Sequence, residues 1–248
     1  MVVARRARPS STTATPLLAA ALACSAPPLL LRVPFPTVVL AVAAGVALVG
    51  AVSADVLRRR PLVLGPADRV TLARLVLVGT CATVAVLAFA GLLAHRSWLV
   101  LALAVPALLL DLVDGPVARR TGTASPGGAA FDNDTDSALV GVLSVLAAPV
   151  VGWWVLLIGA MRYLFVAVSW VRPQLRGQCG PSRFRRLVGA SQGVALMVAL
   201  APVVPLSAVR VLLALALVLL VVSFGRDAVV LERRPVPERG RVMTGARR

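Results

Sequence analysis

Residues 111–136 read DLVDGPVARRTGTASPGGAAFDNDTD and hold five of the ten acidic residues in a chain of 248. The first half of this segment spaces its acidic and small residues at i, i+3, i+4, i+7 and i+8: Asp111, Asp114, Gly115, Ala118 and Arg119. The second half spaces Gly128, Asp132 and Asp136 at i, i+4 and i+8. Because an α-helix repeats about every 3.6 residues, each set lies on one helix face. The turn-rich connection over 120–127 predicts that the two helices are antiparallel neighbours.

The rest of the chain is too apolar for a water-soluble domain. It is 59% hydrophobic and 15% charged, with a mean hydropathy of +0.90. Soluble domains are about 45–50% apolar and about a quarter charged. The three cysteines are scattered, without the spacing of metal ligands or of a disulfide framework. The composition therefore excludes a soluble or disordered protein and predicts an all-α, polytopic membrane helix bundle.

Eight apolar runs are candidates for membrane helices, since a bilayer core about 30 Å thick needs about 20 apolar residues. These runs are 16–31, 36–53, 70–94, 98–118, 129–149, 151–171, 187–205 and 207–225. The first run follows three arginines and contains Pro27 and Pro28, so it is either a retained helix or a cleaved signal segment. The expected organisation is a basic N-terminus over 1–15, a hydrophobic hairpin over 16–53, a linker over 54–69, a six-helix membrane domain over 70–231 and a basic tail over 232–248.

The arginines indicate which side of the membrane each loop faces. Of 26 arginines, 21 fall in the N-terminus, the 54–69 loop, positions 119–120, the 172–186 loop and the tail. Basic residues collect in cytoplasmic loops, so these segments and both chain ends are expected in the cytoplasm. The net charge of +16 is then explained by anionic membrane lipids as partners. Nucleic acid is not expected, because the arginines lie in separate loops without interleaved aromatic residues.

The acidic residues of 111–136 are unusual inside membrane helices. An Asp at such a position costs about 2.5–3.5 kcal/mol on insertion scales and usually marks a functional cavity. The carboxylates of Asp111, Asp114, Asp132 and Asp136 cannot all remain ionised together without positive charge. An all-oxygen site of this kind suits Mg²⁺ or Mn²⁺. Asp134 lies off this face and is expected to meet solvent or to cap the helix.

The pattern Asp111-x2-Asp114-Gly115-x2-Ala118-Arg119-x8-Gly128-x3-Asp132-x3-Asp136 resembles the signature of the class I CDP-alcohol phosphatidyltransferase family. The resemblance implies an integral membrane phosphotransferase of phospholipid biosynthesis. Such an enzyme moves a phosphatidyl or similar phosphoalcohol group from a CDP-linked lipid donor to an acceptor hydroxyl and releases CMP. It also implies a homodimer and, with the arginine-rich composition, an active site on the cytoplasmic face of a bacterial cell membrane.

Site roles also follow from the resemblance. Asp111, Asp114 and Asp132 would be ligands of a two-metal Mg²⁺ or Mn²⁺ centre, and Asp136 would be both a ligand and the general base. The CDP pocket would include Asp114 and four further positions: Gly115, Ala118, Arg119 and Gly128.

A weaker resemblance lies in residues 66–74, PADRVTLAR. Many family members have Pro-Asn-x-x-Thr-x-x-Arg at this point, beside the nucleotide. Thr71 and Arg74 match that pattern and are expected to bind CDP. Asp68 replaces the Asn, so it is either a nucleotide contact or an ordinary helix N-cap.

The acceptor is less clearly marked. A phosphorylated acceptor such as glycerol 3-phosphate or inositol phosphate needs cations, and arginines near the sixth and seventh runs could supply them. The candidate acceptor-binding residues are Arg162, Arg172, Arg176, Arg183 and Arg186. The alternative for the loop arginines is that they only follow the positive-inside rule.

Two other functions remain open at the level of the sequence. A cation-transport protein would also place Asp residues in membrane helices, but across the whole membrane depth. A catalytically silent membrane scaffold would bind CDP and metal without turnover.

Overall fold

The computed structural model describes residues 14–31, 33–57, 65–122, 125–171 and 183–232. All regular structure in these ranges is helical. The helices are α1 (Ala14–Leu30), α2 (Phe35–Leu57), α3 (Pro66–Phe89), α4 (Trp98–Arg120), α5 (Pro126–Val151), α6 (Leu156–Val171), α7 (Arg183–Leu200) and α8 (Leu206–Glu232), with a 3₁₀ turn at Trp153–Val155 before α6.

The helices follow the expected runs with shifted ends. Helix α2 continues to Leu57 and α3 begins at Pro66, so the connection between them is shorter than the expected 54–69 linker. Helix α3 ends at Phe89 instead of 94, and Gly91 with φ of +73° turns the chain after it. Pro27 and Pro28 lie in the last turn of α1, which ends at Leu30. They therefore end this helix without dividing it.

Five helices are long and apolar enough to cross a membrane within the described ranges. Their apolar segments are Phe35–Ala54, Pro66–Phe89, Trp98–Val117, Pro126–Val151 and Leu206–Arg226. Shorter apolar segments occupy Leu18–Leu30 and Leu187–Leu200, and α6 has 16 residues. The chain is therefore a polytopic membrane helix bundle, as its composition predicts.

Helix α3 lies at the centre of one half of the bundle. It packs against α1, α2, α4 and α5, and α7 and α8 complete the main hydrophobic core through α5 and α4. By contrast, α4 and α5 have little backbone contact with each other. The expectation that they are direct neighbours is therefore corrected: α3 packs against both of them and carries its own side chains toward their acidic residues.

Local sequence explains where α3 and α5 begin. Pro66 stands at the first position of α3, and the Gly65 backbone N–H donates to Asp68 Oδ2 at 3.1 Å. Asp68 is thus in the first turn, not at the N-cap as one reading proposed. The Gly128 N–H donates to the Ser125 side chain at 3.0 Å and caps α5.

A close contact between α2 and α3 depends on two glycines. A Cβ atom on Gly45 would lie 2.6 Å from the Gly79 carbonyl oxygen and 2.5 Å from Thr83 Oγ1. Only glycine at position 45 permits this approach. The α1–α2 hairpin is therefore pressed closely onto α3.

At the other end of the bundle, Arg96 joins two loops. Its Nη2 donates to the carbonyl oxygens of Ala201 and Val204, just after the end of α7. Both acceptors lie in the α7–α8 loop, so these are charge-assisted hydrogen bonds between two loops. The α3–α4 loop and the α7–α8 loop are fixed together by this contact.

Candidate metal centre

Three aspartates from two helices meet at a similar depth. Asp132 and Asp136 lie in α5, about 9 and 15 Å from its first residue at a rise of about 1.5 Å per residue. Asp111 lies in α4, about 14 Å from its last residue. One carboxylate oxygen from each of the three lies within 4.8 Å of the others. The two acidic faces seen in the sequence therefore converge, although their helices are not in direct contact.

Arg74 of α3 lies among these carboxylates. Its Nη1 donates to Asp111 Oδ1 at 2.5 Å, and its Nη2 donates to Asp136 Oδ1 at 2.8 Å. The same Nη2 donates to the Asp132 carbonyl oxygen at 3.2 Å and lies 2.9 Å from Asp132 Oδ1. The Arg74 side chain is 0% exposed, so its charge is compensated by these three aspartates. The guanidinium connects α3 to both α4 and α5.

The ion pairs of Arg74 were not predicted from the sequence, which assigned this residue to the nucleotide. The sequence nonetheless contained an indication of these ion pairs. An arginine about two turns inside an apolar helix needs an acidic partner, and the chain offers acids at that depth only in a few places.

The donor set fits a divalent cation. Among the described side chains, three carboxylates and one guanidinium leave two formal negative charges in a partly buried pocket. Asp132 Oδ1 is buried and has no hydrogen-bond partner among the described residues, despite its ion pair with Arg74. An oxygen in this state, beside two further carboxylates, suits a hard cation such as Mg²⁺ or Mn²⁺.

The fourth aspartate of the pattern is described only in its backbone. Asp114 lies in α4 one turn after Asp111, and its side chain is outside the described part of the structure. The same holds for the side chain of Ala118. Their assignment to the metal and to CDP stays a prediction.

The small residues of the pattern border polar groups. A Cβ atom on Gly115 would lie 3.4 Å from Arg119 Nη1, so the Arg119 side chain approaches the backbone of α4 at this point. A Cβ atom on Gly128 would lie 3.2 Å from Ser125 Oγ and 3.5 Å from Asp68 Oδ1. The Asp68 carboxylate therefore lies at the start of α5, beside Gly128.

Thr71 lies between Asp68 and Arg74 on the same face of α3. It is buried, and its Oγ1 donates to the Ala67 carbonyl oxygen at 3.1 Å. The residues of the weaker sequence pattern, 66–74, therefore lie beside the acidic pattern of residues 111–136. Nucleotide binding by Thr71 and Arg74 stays a prediction.

The predicted acceptor residues fall outside what the structure describes. Arg172 and Arg176 lie outside the described residues altogether. Arg162 in α6 and Arg183 and Arg186 in α7 are described in their backbone but not in their side chains.

Comparison with known proteins gives one result. A sequence model of the CDP-alcohol phosphatidyltransferase family matches residues 65–222, from the start of α3 to the later part of α8. No curated protein and no solved structure matches the chain. The family match covers well over half of the chain and contains Arg74 and all three convergent aspartates. The chain is thus an integral membrane transferase that belongs to the CDP-alcohol phosphatidyltransferase family.

Proposed function

We propose that the protein transfers a phosphatidyl group from a CDP-linked lipid, such as CDP-diacylglycerol, to the hydroxyl of an acceptor alcohol and releases CMP. The observation that carries this proposal is the convergence of Asp111, Asp132 and Asp136 to within 4.8 Å inside the family domain. These acids meet at a similar depth in the bundle. A cation path would instead need acidic groups spread across the membrane.

Asp111, Asp114, Asp132 and Asp136 would hold a pair of Mg²⁺ or Mn²⁺ ions. When bound, such ions offset the charge of the donor pyrophosphate and stabilise the departing CMP. Small residues leave room for the CDP group between α4 and α5: Gly115, Ala118 and Gly128. Arg119 and Thr71 supply polar contacts around that space, and Arg74 adds positive charge beside it.

In the reaction, the acceptor oxygen attacks the phosphorus atom that carries the lipid group. The bond from that phosphorus to the bridging oxygen breaks, and CMP leaves with the bridging oxygen and its electron pair. Asp136 takes the proton of the acceptor hydroxyl. Its side chain is 45% exposed, against 28% for Asp111 and 37% for Asp132, so it is the most accessible of these three aspartates to an incoming acceptor.

The acceptor is proposed to be a phosphorylated alcohol, glycerol 3-phosphate or inositol phosphate. Arginines of α6, α7 and the segment between them would bind its phosphate: Arg162, Arg172, Arg176, Arg183 and Arg186. The one-sided distribution of arginine supports an active site on the cytoplasmic face of a bacterial membrane. The family resemblance supports a homodimer.

The test is CMP release by the full-length protein purified in detergent, with Mg²⁺ or Mn²⁺, CDP-diacylglycerol and each candidate acceptor. Mass spectrometry of the lipid product identifies the acceptor. Asp136→Asn is expected to lower turnover about 100-fold or more, because it removes the base. Asp134→Asn, two residues away and off the acidic face, is the matched control and should retain turnover.

Release no higher than that of Asp111→Asn with every acceptor would contradict the enzymatic proposal. Metal-dependent CDP binding without turnover would favour a membrane scaffold instead.

A further inference from the structure

We infer that Arg74 is an internal counter-cation of the metal centre. In the metal-free protein its guanidinium holds the three carboxylates together, and a divalent cation binds by taking carboxylate oxygens from it. The inference rests on the metal site of the proposed function, but it concerns the assembly of that site and not its turnover.

The first step is that the charge of Arg74 is buried and paired with the aspartates. Arginine remains protonated in proteins, and this side chain is 0% exposed. Its neighbours on α3, Thr71 and Leu75, are buried as well. Leaving the carboxylates would strand a buried charge, which is strongly unfavourable. The guanidinium therefore remains at the centre while no stronger cation is present.

The second step is that the carboxylates need Arg74. Three ionised groups with oxygens within 4.8 Å of one another repel each other in a pocket of low dielectric. Asp132 and Asp136 share one nitrogen of Arg74, and Asp111 is bound to the other. Arg74 thus compensates repulsion between α4 and α5, which have little direct contact.

The third step is that Arg74 and a metal ion compete for the same atoms. Nη2 lies 2.9 Å from Asp132 Oδ1 and 2.8 Å from Asp136 Oδ1. A cation held by these two carboxylates would need the oxygen atoms that Arg74 now contacts. Mg²⁺ binds oxygens at about 2.0–2.1 Å and requires near-octahedral geometry, so the nitrogen must move away for the ion to enter. Arg74 therefore pre-assembles the site and also lowers its affinity for metal.

The experiment compares Arg74→Met, Arg74→Lys and wild type as full-length proteins in detergent. Unfolding temperature is measured in EDTA, and the Kd for Mn²⁺ is measured by the magnetic resonance signal of the free ion. Arg69→Met is the matched control, because Arg69 is exposed in the first turns of the same helix.

Arg74→Met is expected to lower Tm in EDTA by several degrees, because the carboxylates then repel without compensation. It should also lower the Kd for Mn²⁺ by about tenfold, because the competing cation is gone. Arg74→Lys keeps the charge but loses the bidentate contact. It should therefore lower both Tm in EDTA and the Kd for Mn²⁺, each by less than Arg74→Met does. Arg69→Met should change neither quantity.

Equal or weaker Mn²⁺ binding in Arg74→Met, or an unchanged Tm in EDTA, would overturn the inference. If Arg74→Met is not recovered as folded protein, Arg74→Lys decides: wild-type values of Tm and Kd overturn the inference, and a lower Tm with tighter Mn²⁺ binding supports it. Neither measurement needs turnover. The counter-cation role can therefore fail while CMP release stands, and it can hold in a protein that releases no CMP.

Discussion

Gly128 shows how one missing side chain shapes the centre. It lies in the first turn of α5, where its backbone N–H meets the capping Ser125 and its Cα faces the Asp68 carboxylate. The space beside it is bounded by polar atoms at 3.2 and 3.5 Å from the position of a Cβ. A methyl group would fit only if one of these groups moved.

Gly128→Ala is therefore expected to raise the KM for the CDP-linked donor several-fold, because the methyl group narrows the space assigned to CDP. Loss of fold is not expected, since the contact is close but not a severe clash. The measurement is initial CMP release at varied donor concentration. Gly189→Ala in α7 is the control, because a Cβ there meets nothing within 4 Å. An unchanged KM would remove Gly128 from the CDP pocket.

The sequence allowed part of this centre to be predicted residue by residue. Helix geometry fixes which residues share a face, so the spacing was sufficient to place Asp132 and Asp136 on one face of α5. Their convergence with Asp111 was predicted from direct packing of α4 on α5, whereas the structure brings the three together around Arg74 of α3. The partners of Arg74 could not be predicted in the same way. They depend on α3 packing against both α4 and α5, which is a property of the tertiary fold and leaves no local pattern.

At the scale of the elements, α3 is held from both sides. The α1–α2 hairpin approaches it through Gly45 and Gly79, and α4 and α5 pack against other parts of its surface. A second core of six buried residues joins the hairpin to α3 and α5, and two of its members flank Arg74 in the chain: Ala20, Val49, Val56, Leu72, Leu75 and Phe131. The position of Arg74 thus depends on helices outside the family match, which begins at residue 65.

Gly45→Leu tests this dependence. The larger side chain must push α2 away from α3, and overpacking of this kind destabilises by about 1–3 kcal/mol. We expect a Tm lower by several degrees and reduced CMP release. Ala43→Leu is the control, because Ala43 is exposed on the same helix. Equal Tm values for the two variants would show that the contact contributes little.

Arg96→Gln tests the contact between loops at the far end of the bundle. The substitution removes a cation from the carbonyl oxygens of Ala201 and Val204, and the loss is expected to be about 1–3 kcal/mol. Tm should fall while the Mn²⁺ concentration needed for half-maximal activity stays unchanged. Arg210→Gln, at an exposed position of α8, should leave Tm near the wild-type value. A shift in metal dependence without a change in Tm would contradict this structural role.

At the scale of the whole molecule, the metal centre and the Arg96 connection lie toward opposite ends of the bundle. The metal centre lies toward the end that carries Arg119 and Arg120, and the connection near Arg96 lies at the other. The approximate limits of the helices in the described residues followed from apolar length and helix-breaking residues, although only five of the eight expected membrane helices are long and apolar enough to span a membrane. Their packing order did not, because apolar helices of similar composition carry little information about which neighbour each one selects.

The placement of the metal centre and the Arg96 connection at opposite ends of the bundle gives a topological prediction. In a cysteine-free background, Thr121→Cys after α4 is expected to react with a membrane-impermeant thiol reagent only from the cytoplasmic side. Leu92→Cys after α3 is expected to react only from the opposite side. Labelling of intact cells and inverted vesicles distinguishes the two. Reversed labelling would place the metal centre on the outer face and contradict the proposed orientation.

The glycine contact between α2 and α3 has a practical meaning for anyone who wishes to shorten this polypeptide. Truncation at the start of the family match would remove the α1–α2 hairpin, which now covers Leu72 and Leu75. It would also expose the face of α3 on which Gly79 contacts α2. Lipid tails or detergent would fill the resulting gap imperfectly, because neither can pack against α3 as closely as the backbone of α2 does. The smallest version that keeps its shape is therefore expected to start upstream of Ala14, with the hairpin retained as an inseparable part of the enzyme.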